Sequence, residues 1–147
     1  MSRRNGKLAW LITLGYVLVL AAVSLLPSGG TGPLSGWDTA ISPGLQNLLH
    51  VPAYGVLVWL VSRAMGLRRL RHVALAAIAC AAFGSVLECA QAAIPGRFGS
   101  VEDTLLNLIG AAAAVPIVLA ARRRSRLGER PRTVAPDSAA HVSDGAR

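Results

Sequence analysis

An all-α, polytopic membrane protein with four transmembrane helices is the fold this sequence predicts. Three observations predict it. Apolar runs over residues 8–26, 45–61, 73–94 and 105–121 each approach or reach the length that crosses a bilayer. The composition is 53% hydrophobic and only 15% charged, and a soluble domain of 147 residues could not cover that much apolar surface with so few charges. The basic residues cluster at the ends of the runs, where topology signals sit.

The first run follows a short basic stretch with Arg3, Arg4 and Lys7. It is longer than a signal-peptide core, and no convincing small-x-small cleavage site precedes Pro27, so an uncleaved span is expected. Residues 27–44 are rich in Gly, Pro and Ser and read as a loop, with Asp38 and an interfacial Trp37. The second run carries Asn47, His50 and Tyr54, with Pro52 in its first turns as a start or slight kink. A compact basic loop, Arg63 to His72, leads to the third run, which Pro95-Gly96 ends. Ser100 is the expected N-cap of the fourth helix, with Glu102 and Asp103 in its first turn and Pro116 as a possible bend. From Arg122 the chain turns polar, so residues 1–121 read as one membrane domain and 122–147 as a basic, then disordered, cytoplasmic tail.

Charge counting sets the expected topology. Of 15 Lys and Arg residues, 14 lie before the first run, between the second and third, or after the fourth; only Arg97 lies in the first or third loop. Positive residues stay cytoplasmic, so both termini are expected inside. The net charge of +8 has no basic face with interleaved aromatics, which argues against nucleic acid. Cys80 and Cys89 stand about 13 Å apart along one helix, too far for a disulfide, and no C-x-x-C spacing occurs.

This topology gathers the polar residues in the outer half of the membrane. Helical spacing puts Asn47, His50 and Tyr54 on one face of the second span. It puts Gly84, Glu88 and Gln91 on one face of the third, and Asp103, Asn107, Gly110 and Ala114 on one face of the fourth. Polar groups in hydrocarbon need partners, and small residues allow close approach, so these stripes should face one another. Glu88 is the most informative residue: a lone carboxylate at that depth costs on the order of 2–3 kcal/mol. Arg97, His50 or a proton would compensate it.

A plainer account covers the same residues. Gln91, Asn107 and Tyr54 would serve as interhelical hydrogen bonds, Ser100 and Asp103 as ordinary capping, and Arg97 as a neutralising charge. Close packing alone explains Gly110 and Ala114. His50, Glu88 and Asp103 would offer one nitrogen and two oxygen ligands, but without any repeat spacing; no metal and no cofactor is assigned.

Several of these residues, in order, resemble the signature of the VanZ-like family of small bacterial membrane proteins. They are Glu88-x-x-Gln91, Pro95-Gly96-Arg97, Ser100-x-x-Asp103, Asn107 and Gly110, with His50-x-x-x-Tyr54 upstream and Ser24-Leu-Leu-Pro27 closing the first span. Asn47 stands where that family often has Lys, and Ala114 where it often has Gly. The resemblance implies a multi-pass protein of the bacterial plasma membrane. Through the accessory factor that names the family, it also implies a link to teicoplanin tolerance.

The leading expectation is an outer-leaflet polar pocket lined by His50, Tyr54, Glu88, Gln91, Arg97, Ser100, Asp103 and Asn107. It would bind a cell-envelope amphiphile or a lipophilic antibiotic, with Arg97 and the start of the fourth helix meeting an anionic head. The alternatives are an enzyme acting on a lipid-linked substrate, for which no nucleophile or metal signature is visible, and a non-catalytic scaffold. Membrane lipids, and a second copy of the chain, are the other expected partners.

Overall fold

The computed structural model describes residues 3–25, 42–94 and 99–128. It holds α1 (Arg3–Leu25), α2 (Pro43–Ala64), α3 (Leu70–Gln91) and α4 (Val101–Gly128), with no strand among the described residues. All four helices are long and apolar enough to cross a membrane. Trp37, Asp38, Pro95, Gly96, Arg97 and residues 129–147 lie outside the described residues.

The helices run past the apolar segments at most ends. α2 begins at Pro43, whose fixed φ and missing N–H suit the first turn. Its end takes in Arg63, and α3 starts before Arg71, so the basic loop shrinks to residues 65–69. α4 continues through Arg122, Arg123 and Arg124 to Gly128, so the expected tail boundary at Arg122 falls within a helix. Hydropathy marks where lipid contact stops, whereas Arg is a good helix former and lets the backbone ladder continue. At the other extreme α3 stops at Gln91, short of the expected Ile94. Its last carbonyls are closed by a turn in which Ala92 N–H donates to Glu88 O at 3.1 Å and Ile94 N–H to Gln91 O at 2.9 Å. Pro52 and Pro116 both sit inside their helices and are exposed.

The core is a seam between α2, α3 and α4. Tyr54, Leu57 and Val58 of α2 pack with Ala77, Cys80 and Ala81 of α3 and with Ala111 and Ala114 of α4. Small residues bring the backbones together at the α2–α4 contact. A Cβ on Gly110 would run into the carbonyl oxygen of Val51, and one on Gly55 would lie 3.5 Å from Gly110 O. Van der Waals contact at that range replaces the hydrophobic drive that is missing between helices in lipid. α1 is held by polar links. Thr13 Oγ1 donates to Ala9 O at 2.8 Å and lies 3.4 Å from Leu60 O of α2. Tyr16 Oη donates to Ala53 O at 2.9 Å. Around this core Leu11, Leu18, Leu75, Ile78, Val86, Leu105, Ile109 and Ile117 are exposed, the surface a lipid-facing bundle presents.

These contacts set the order of the ends. Thr13 meets Leu60 and Tyr16 meets Ala53, so α1 and α2 are antiparallel. His50 meets Asn107, and Arg122 Nη2 donates to Ser62 O at 3.1 Å, so α2 and α4 are parallel. One end of the bundle therefore carries His50, Glu88 and Asp103. The other carries Arg63 and Arg122. Ser62 lies in the last turn of α2, where free carbonyls give a partial negative charge that the Arg122 guanidinium meets.

Candidate functional site

His50 enters the site from α2, Glu88 from the last turn of α3, and Asp103 and Asn107 from the first two turns of α4. One ligand-type atom each from His50, Glu88 and Asp103 lie within 4.8 Å of one another. Glu88 is 5% exposed and Asn107 fully buried, while His50 and Asp103 are partly buried. The polar group is thus an internal one at the end of the bundle, with two members reaching its edge.

The surrounding contacts orient each member. His50 Nδ1 lies 2.8 Å from Asn107 Oδ1. An amide oxygen only accepts, so Nδ1 carries a proton and donates. The Tyr54 ring stacks parallel to the imidazole, 6.4 Å between centroids at 4°. Beneath them is Gly84: a Cβ there would come within 2.7 Å of both the Tyr54 ring and Asn107 Nδ2. The glycine on α3 is what lets Tyr54 and Asn107 close over that helix.

The loop into α4 completes the group. A Cβ on Gly99 would run into Glu88 O, so the chain passes hard against the end of α3. That approach brings Ser100, whose N–H donates to Glu88 Oε2 at 3.2 Å. Ser100 Oγ then accepts from the N–H of Glu102 at 3.1 Å and of Asp103 at 3.3 Å, the side-chain N-cap expected from sequence. The cap thus takes up the amides of Glu102 and Asp103 in the first turn of α4.

Two side-chain atoms here are buried without a hydrogen-bond partner among the described residues, Asp103 Oδ1 and Asn107 Nδ2. Buried polar groups are rarely left so, and each marks a place where a partner belongs.

Of the residues expected to line the site, His50, Tyr54, Glu88, Ser100, Asp103 and Asn107 come together. Gln91 is buried but does different work: its Nε2 donates to Ser24 O at 2.7 Å and ties α3 to the end of α1. Arg97 lies outside the described residues. Gly110 lies against α2 and Ala114 within the core.

Sequence reasoning missed Thr13, Tyr16 and Gly55. Thr13 and Tyr16 stand three apart in a span that is apolar but for them and Ser24, which was the available signal. An apolar groove also went unforeseen, about 350 Å³ between α2 and α4 and lined by Pro52, Val56, Trp59, Ala113 and Ile117 among others. Pro52 and Trp59 lie about half a turn around α2 from His50, so the groove opens away from the polar group.

Four membrane-length helices closing over a polar group at one end define a small multi-pass membrane protein. The chain belongs to the VanZ/LLP1 family, whose model matches residues 2–122. Neither the curated proteins nor the solved structures gave a significant match.

Proposed function

We propose that this protein sits in the bacterial plasma membrane with both termini cytoplasmic, and that the polar group at its outward end binds the head group of a cell-envelope amphiphile. The observation that carries the reading is the convergence of His50, Glu88 and Asp103, from three helices, within 4.8 Å. Interhelical glue needs pairs of polar residues. It does not need two carboxylates and an imidazole at one point, each costly to place in a membrane. The arginine-rich opposite end supports the orientation, since Arg63, Arg68, Arg122 and Arg123 then face the cytoplasm.

A lipophilic glycopeptide antibiotic belongs to the same ligand class, and sequestering it or its target would raise tolerance. The experiment expresses the full chain in a teicoplanin-sensitive host. Glu88→Gln, Arg97→Ala and Asp103→Asn are compared with wild type for tolerance and for binding of the purified protein to teicoplanin and envelope lipids. Loss in the variants at normal folded yield supports the reading. Equal binding and tolerance in all three sinks it.

One observation favours a second reading, catalysis on a lipid-linked substrate. Asn107 holds the imidazole by Nδ1, so in the neutral ring Nε2 is the nitrogen that would take a proton, which is how a general base is oriented. Turnover of a lipid-linked phosphate or ester that disappears in His50→Gln would select this reading over simple binding.

A further inference from the structure

We infer that His50, Glu88 and Asp103 form a binding site for one divalent metal ion of mixed nitrogen and oxygen preference, with Mn2+ the best-suited probe. The inference deepens the head-group reading, because it uses the same residues and names what would let them meet an anionic head.

Distance is the first argument. Ligands bonded to one Mn2+ or Zn2+ at about 2.0–2.2 Å stand no more than roughly 4–4.5 Å from each other. The three ligand atoms lie within 4.8 Å of one another. Side-chain adjustments of a few tenths of an ångström, about the excess over that limit, would close the site without moving a helix.

The orientation of His50 is the second. A metal-binding imidazole gives its other ring N–H to an oxygen, which fixes the tautomer and aims the lone pair at the ion. His50 Nδ1 does this to the fully buried Asn107 at 2.8 Å. The arrangement leaves Nε2 as the ligand.

The unmet atoms are the third, and they are independent of the distance. Asp103 Oδ1 is a buried acceptor and Asn107 Nδ2 a buried donor, neither with a hydrogen-bond partner among the described residues. A cation bound by the trio would satisfy the carboxylate; Asn107 Nδ2 lies over Gly84 instead.

Charge agrees with this. Carboxylate oxygens and a divalent cation attract each other, and the attraction is stronger in the membrane than in water. Three protein ligands leave coordination positions open for an exogenous oxygen. Imidazole with two carboxylates and no thiolate suits Mn2+ and Zn2+ better than softer ions. Cys80 and Cys89 form no part of the site, and Mn2+ as a hard probe avoids them.

The test uses the full chain carrying a histidine-free affinity tag, stripped with EDTA, and Mn2+ alone with no amphiphile added. Electron paramagnetic resonance titration should find one tightly bound Mn2+ per chain. Pulsed spectra should show a coupled histidine nitrogen. Asp103→Asn should weaken binding at least tenfold, and His50→Gln should remove the nitrogen coupling. Glu102→Gln, exposed and outside the cluster, should change neither. Should Glu88→Gln not fold, Asp103→Asn and His50→Gln still decide the question. No stoichiometric binding to wild type, or binding indifferent to both Asp103→Asn and His50→Gln, overturns the metal site. Amphiphile binding measured separately in EDTA shows whether head-group recognition stands without it.

Discussion

Replacing Gly84 by Ala tests the architecture of the site without substituting any of its polar residues. The new Cβ would sit 2.7 Å from Tyr54 Cε1 and Cζ and from Asn107 Nδ2. Ordinary contact is about 3.5–4.0 Å, so the neighbours must retreat by about 1 Å. Neither has room to do so. Tyr54 is 2% exposed, Asn107 is 0% exposed, and the clashing Tyr54 atoms belong to a rigid ring. Overpacking of this kind costs about 1–3 kcal/mol. The retreat also pulls on the Asn107–His50 bond, so the loss should appear at the site as well as in the fold. Reversible unfolding in mixed detergent micelles reads the first effect and Mn2+ titration the second. Gly84→Ala within about 0.5 kcal/mol of wild type, the ordinary range for inconsequential substitutions, with unchanged Mn2+ affinity would refute the packing of Tyr54 and Asn107 on α3.

Other predictions concern the frame and its orientation. Gly110→Ala would drive a methyl into Val51 O, a backbone atom with nowhere to go, and should destabilise at least as much as Gly84→Ala. Arg122→Ala should cost about 1–3 kcal/mol in the same assay, because a charge-assisted bond to the α2 carboxyl end is lost; equal stability would remove that role. Thr13→Val should cost only about 0.6 kcal/mol, the usual value for a hydrogen bond between helices in a membrane. In a Cys80→Ala/Cys89→Ala background, an impermeant maleimide should label Val101→Cys in intact cells and leave Arg69→Cys unlabelled; the reverse pattern inverts the topology.

The faces that converge were legible because one helical spacing recurs on three helices. His50 and Tyr54, Gly84 and Glu88, and Asp103 and Asn107 each recur four residues apart, so each pair lies on one helical face. Arginine placement then put all three faces at the same end. The same three residues could be named from the sequence as one nitrogen and two oxygen ligands, but their approach to within 4.8 Å could not, because His50, Glu88 and Asp103 share no spacing and meet only once α2, α3 and α4 pack. Gln91 shows the reverse limit. Periodicity placed it beside Glu88, but a side chain at a helix end can turn toward either neighbour, and it bonds α1 at Ser24. Helix ends were misjudged wherever Arg followed the apolar run. Apolar sequence reports the thickness of lipid, whereas α4 keeps its hydrogen bonds through Arg124 to Gly128.

Native mass spectrometry of the full chain released from bacterial membranes tests the head-group site most directly, with wild type compared against Asp103→Asn and Gly84→Ala. The account predicts a discrete amphiphile adduct on wild type that is lost or sharply reduced in both variants at unchanged helical content. Identical adducts on all three proteins would contradict it, since the acceptor carboxylate and the packing that orients His50 would then have no part in binding.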